Sequence, residues 1–148
     1  MRTVFDPDAR HSLIVRLRSL SPESQARWGR MNAPQALCHM ADQVRCALGD
    51  IPTQPRRSIL NNRLIRFFAV HLLPWPKGRI PTVPEMLTAV PGVWEDDRSS
   101  LEALLERAAE RGEDGEWTEH PAFGRLSGRE WGWLIYKHTD YHLRQFRA

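Results

Sequence analysis

Ser127-Gly128-Arg129-Glu130-Trp131-Gly132-Trp133-Leu134-Ile135-Tyr136-Lys137-His138-Thr139-Asp140-Tyr141-His142-Leu143-Arg144-Gln145-Phe146 reads as one long helix. Ser127 with Glu130 three residues on is a capping box: the hydroxyl accepts from the N3 amide, and the glutamate reaches back to the cap amide. At about 100° per residue, Trp131, Leu134, Ile135, His138, His142 and Gln145 fall on one stripe. The two histidines therefore occupy core-facing positions one turn apart. Imidazoles at i and i+4 can reach a common point, the geometry by which helical pairs hold a divalent ion. The same positions also suit two partly buried histidines satisfied by hydrogen bonds, and the spacing admits both.

Working outward, the rest of the chain has helical patterning and no convincing strand alternation. Asp6 as N-cap, Pro7 at the first helical position and Asp8 in the first turn open a helix striped by Leu13, Leu17 and Leu20, which Ser21-Pro22 ends. Asn32, with Pro34 two residues on, opens a second, with Leu37, Met40, Ala41, Val44 and Leu48 at helical spacing and Gly49 as C-cap. A third is expected from about Ser58 to Leu73, striped by Leu60, Leu64, Phe67 and His71. Pro74, Pro76, Pro81, Pro84 and Pro91 then forbid a continuous helix and stiffen a long connection that reads as a wall or lid. A fourth helix carries Leu101, Leu104, Leu105 and Ala108 and ends at Gly112. The expected fold is all-α: an antiparallel helical bundle of four long helices, a shorter extra one and a Pro-rich connection.

Composition narrows the class. The 148 residues, 41% hydrophobic and 26% charged, suit a single domain over 1–148. No run approaches the ~20 apolar residues of a membrane span. Met1–Asp8 has no apolar core behind Arg2, so it does not read as a signal peptide, and a cytoplasmic location is expected. Nineteen of the 21 basic residues are arginine, and the net charge is only +3. Between Glu95 and Glu119 stand ten acids against Arg98, Arg107 and Arg111, a block that argues against a nucleic-acid partner. The basic stretch Arg45–Arg79 is expected to face acids or a partner subunit. Cys38 and Cys46 lie about 12 Å apart along one helix, too far to bridge. No phosphate-binding glycine loop, Gly-x-Ser-x-Gly elbow or Cys-x-x-Cys pair is present.

His39 on the second helix would complete three ligands, yet it lies near 200° from the Leu37 stripe by the same ~100° step. Asp42 and Cys46 share that face. Periodicity alone makes His39 a surface residue, unless the helix is covered on both sides. Asp42, one turn on, can orient that imidazole, act as a general base, or be a solvated carboxylate. Gln145 can hydrogen-bond a ligand oxygen. His120 before Pro121 either approaches the site from its loop or caps a helix. His71 reads as a core histidine or a fourth ligand, and His11 as solvated.

The stretch Met31-Asn32-Ala33-Pro34-Gln35-Ala36-Leu37-Cys38-His39-Met40-Ala41-Asp42 resembles the helix bearing the first metal histidine of the DinB/YfiT-like superfamily. His120-Pro121-Ala122-Phe123-Gly124, with Glu130-Trp131 and His138-Thr139-Asp140-Tyr141-His142, is similar to the other hallmark, in a branch that keeps a His-Pro-x-Phe-Gly element. The resemblance implies a four-helix bundle, often a homodimer, with a divalent metal on His39, His138 and His142. It also implies that the bundle encloses the His39 face. Characterised relatives include thiol-dependent transferases and isomerases and some hydrolases acting on small molecules. The expectation is thus a metal-dependent hydrolase or thiol transferase, with a metal-binding or stress-associated protein without turnover as the alternative. Three imidazoles favour zinc or nickel over magnesium or calcium, and an open position on such an ion can activate water or take a thiolate. Tyr141 stands where many close relatives are expected to carry another histidine.

Overall fold

The computed structural model describes residues 1–54 and 89–148. The helix expected over Ser58–Leu73, with His71, and the Pro-rich connection as far as residue 88 lie outside them. The described residues are mostly helical: α1 is Pro7–Arg18, α2 Ala33–Leu48, α3 Trp94–Arg111 and α4 Gly128–Gln145. Glu119–His120 (β1) and Gly124–Arg125 (β2) pair antiparallel, Glu119 opposite Arg125. This pair was not expected, because two-residue strands are too short to carry an alternation pattern.

Local chemistry sets the helix ends. Asp6 accepts from the amides of Asp8 and Ala9 at the start of α1. Both capping boxes form fully: Asn32 with Gln35 on α2, and Ser127 with Glu130 on α4. Gly49 closes α2 at φ 87°, a left-handed conformation in which a Cβ would be strained. α3 has no side-chain cap, but Glu95, Asp96 and Asp97 in its first turn complement the positive end of the dipole.

α2 packs on α3 and α4, and α1 packs on the same two helices, so the four enclose one core. Leu13 and Leu17 of α1, Leu37 and Met40 of α2, Leu101 and Leu105 of α3, and Trp131, Leu134 and Ile135 of α4 are all at most 1% exposed. Two acids of the block pair with α1: Arg10 meets Glu106 at 2.9 Å and Arg18 meets Glu102 at 2.6 Å. Arg107 meets Asp50 at 2.6 Å. Both cysteines are free and buried, as their spacing requires.

One expectation needs correction. Thirteen of the sixteen α2 residues are buried, including the polar face with His39, Asp42 and Gln43. The periodicity argument assumed that the face opposite the apolar stripe meets water. Instead α2 has α3 and α4 against it, and the segment at Ala89 and the Thr118 turn cover it further. Both sides of the helix are therefore interior.

Candidate metal centre

α2 and α4 each bring their histidines to the same point in the interior. His39, His138 and His142 are 5%, 8% and 7% exposed. One ligand nitrogen from each lies within 4.8 Å of the other two. The Nε2 atoms of His39 and His138 are 2.9 Å apart, and the three ring centroids are 4.7 to 4.9 Å from one another. Tetrahedral bonds of about 2.05 Å place ligand nitrogens roughly 3.3 Å apart, so a small outward shift of the rings accommodates an ion. The three nitrogens lie close enough to hold a metal ion.

The outer contacts fix how His142 presents itself. Its Nδ1 is 2.8 Å from Gln145 Oε1, and Gln145 Nε2 donates to the Trp28 carbonyl at 2.6 Å. A carbonyl only accepts, so the Trp28 contact sets the amide orientation of Gln145. Its Oε1 must then accept from Nδ1–H, which leaves the Nε2 lone pair of His142 for the cluster. Sequence reading singled out Gln145 but gave it a different partner.

The residues before α2 form a strap across this end of the molecule. Arg27 N donates to Gln145 O at 2.8 Å, and Trp28 Nε1 donates to Tyr141 Oη at 3.0 Å. Gly29 has φ 81°, and a Cβ there would sit 2.8 Å from Gln145 Nε2. Glycine is needed on both counts. Nothing in the sequence pattern announced this strap, although Gly29 between Trp28 and Arg30 is its one visible mark.

Asp42 is 1% exposed. Its Oδ1 meets Arg45 Nη1 at 3.1 Å, and its Oδ2 accepts from Ala89 N at 2.8 Å. These contacts tie residue 89 to the helix three residues from His39. Cys38 turns to α3, with Sγ 3.8 Å from Asp97 Oδ2, and burial with the nearby carboxylates pushes its thiol up to about 11. His120 is buried outside the convergent set. Its Nδ1 accepts from Ala122 N at 3.0 Å and Phe123 N at 3.2 Å, and its ring lies against Phe123 and Trp131. It thus caps the β1–β2 turn, a role different from the helix cap or site residue expected of it. His11 is exposed, as expected.

With this geometry in place, comparison with known families is informative. The family described as "Protein of unknown function (DUF1569)" matches residues 6–148. The chain belongs to the DUF1569 family. No curated protein and no solved structure matches it. In this DUF1569 chain, the matched span contains all three histidines, the strap and all four helices.

Burial disfavours the charged forms of His138 and His142. Desolvation, then the neighbouring imidazoles, hold His138 well below its ordinary range. Burial first, then His39, pushes His142 down to about 3, and burial alone does the same to His120. Neutral imidazoles keep the lone pairs a cation needs. The consequence for stability has a definite sign. Folded-state values lie below the unfolded ~6.5, so the unfolded chain takes up protons first as pH falls. The stabilising contribution is complete above ~6.5 and is lost toward 3. Urea unfolding of metal-free protein should show stability falling from pH 7 to 4, by up to ~1.4 kcal/mol per pH unit for each histidine kept neutral. A flat profile across that window would contradict the burial of these rings.

Proposed function

We propose that this protein is a divalent-metal-dependent enzyme, a hydrolase or thiol-dependent transferase acting on a small molecule, built on a DinB/YfiT-like four-helix bundle. The observation that carries the reading is the convergence of three buried histidines from two helices far apart in sequence. His39, His138 and His142 would hold the ion. Three nitrogen ligands leave a coordination position open, and the ion supplies Lewis-acid chemistry there. Structural zinc sites, by contrast, are closed by four protein ligands.

The chain's own residues define the surroundings. Gln145 holds His142 in the ligating tautomer and passes its second hydrogen bond to the strap. Asp42 serves as a positioning residue, anchoring Ala89 beside the site. Burial of all three rings, none more than 8% exposed, limits water around the cluster. The superfamily resemblance further implies a homodimer.

Metal content of the purified protein, followed by zinc- and nickel-loaded assays against ester, amide and thiol-conjugate panels, tests the reading. Stoichiometric metal and turnover above the chelated protein support it. Stoichiometric metal with no turnover favours the non-catalytic alternative, and no metal overturns both. Gln145→Ala should weaken zinc affinity by about 10- to 100-fold while retaining the fold, as removal of an outer partner of a histidine ligand does. Competition against a chromogenic chelator measures it. Unchanged affinity would remove Gln145 from the site.

A further inference from the structure

A pocket of about 380 Å³ opens against the histidine cluster, with His39 in its wall. That volume is within the range of small-molecule sites. Met31, Val90 and Pro91 line it with apolar surface, and Gln35 adds an amide. Arg30 is the one charged side chain among its described lining residues. We infer that this pocket receives the ligand of the histidine centre, and that the ligand is a small molecule carrying an anionic group paired with Arg30. The inference rests on the metal-site reading above and adds the charge class of the substrate.

Two features place positive potential there, and a third engages the carboxylate that would oppose it. Arg30 follows Trp28 and Gly29 on the strap, whose backbone is held to α4 through Arg27 N, the Trp28 carbonyl and the Trp28 indole. The arginine's position relative to His142 and Gln145 is therefore fixed at its backbone. The pocket also lies beside the first turns of α2, where Met31 and Gln35 belong to the cap region and the helix dipole carries its positive end. Ala89, among the described lining residues, is held by the Asp42 carboxylate. That bond engages the nearest buried carboxylate with a backbone amide and with Arg45. A guanidinium and a helix N-terminus on one side, and an imidazole of the metal centre in the wall, match a ligand with an anion at one end and a metal-seeking group at the other.

Cobalt-substituted protein gives a readout independent of turnover, because its visible bands change when a ligand reaches the ion. The probes are succinic monohydroxamate and butyrohydroxamate, which share the chelating group and differ in a terminal carboxylate. Wild type should bind the carboxylate probe about fivefold more tightly, the size expected of a partly solvated charge pair. Arg30→Ala and Arg30→Gln should abolish that preference with cobalt stoichiometry unchanged. Arg147→Ala, which removes an arginine from a separate pocket formed with Arg27, Trp28 and Arg144, should retain it. Equal binding of both probes by wild type overturns the inference. So does a preference that survives in both Arg30 variants, or one lost equally in Arg147→Ala, which reports net charge alone. Failure of wild type to take up cobalt overturns the metal centre itself, an outcome distinguishable because no visible band develops.

Discussion

His138→Ala is expected to lose stoichiometric zinc or nickel while keeping its helical fold. His138 contacts both other ligands, with its Nε2 2.9 Å from that of His39 and its ring 4.7 Å from His142. Zinc in four-ligand protein sites binds with roughly 10–16 kcal/mol, so one ligand in three is worth about 3 kcal/mol or more, at least ~100-fold in affinity. The fold should tolerate the change, because alanine removes a buried polar ring that the core does not need for its apolar packing. A thermal-shift titration reports both quantities together. Zinc at about 1,000 times the wild-type dissociation constant should stabilise wild type by ~4 kcal/mol and the variant, bound at least ~100-fold more weakly, by no more than ~1.4 kcal/mol. Equal shifts in the two proteins would show that the ion binds elsewhere.

Trp131→Ala should be the most destabilising single change outside the cluster. The indole is fully buried, its Nε1 donates to the Thr118 carbonyl at 2.9 Å, and it stacks on Trp117 with centroids 6.3 Å apart. His120 lies against its other side at 5.3 Å. Truncating a buried tryptophan costs about 3–5 kcal/mol, a large share of the ~5–15 kcal/mol by which domains are stable. The loss should reach β1 and the C-terminal end of α2, because Thr118 also bonds the Cys46 carbonyl. Trp131→Phe keeps apolar bulk but orphans the Thr118 carbonyl, and should cost less, about 1–3 kcal/mol. Urea unfolding followed by far-ultraviolet circular dichroism checks the order. A loss below ~1 kcal/mol for the alanine variant would contradict the packing described.

These two residues also mark what the sequence could disclose. Trp131, His138 and His142 lie on one stripe of α4, so their inward direction follows from helical period alone. Caps were equally readable, since Asp6, Asn32, Gly49 and the Ser127–Glu130 pair act through neighbours two to four residues away. His39 was not readable in the same way. A hydrophobic stripe identifies one buried face, whereas α2 is interior on its polar side too, and only tertiary packing creates that second face. The resemblance to a metal-binding helix supplied what periodicity could not. The strap from Arg27 to Met31 escaped for a related reason. Its bonds run to Tyr141 and Gln145, more than a hundred residues away, through a backbone carbonyl and an indole that leave no spacing signature.

The most direct measurement is X-ray absorption at the metal edge of the zinc-loaded protein. Three imidazole nitrogens at about 2.0–2.1 Å, with the outer-shell scattering of three rings and no sulfur near 2.3 Å, are the predicted result. A sulfur ligand, pointing to Cys38 or Cys46, or a shell with fewer than three imidazoles would contradict the assignment of His39, His138 and His142 as one metal centre.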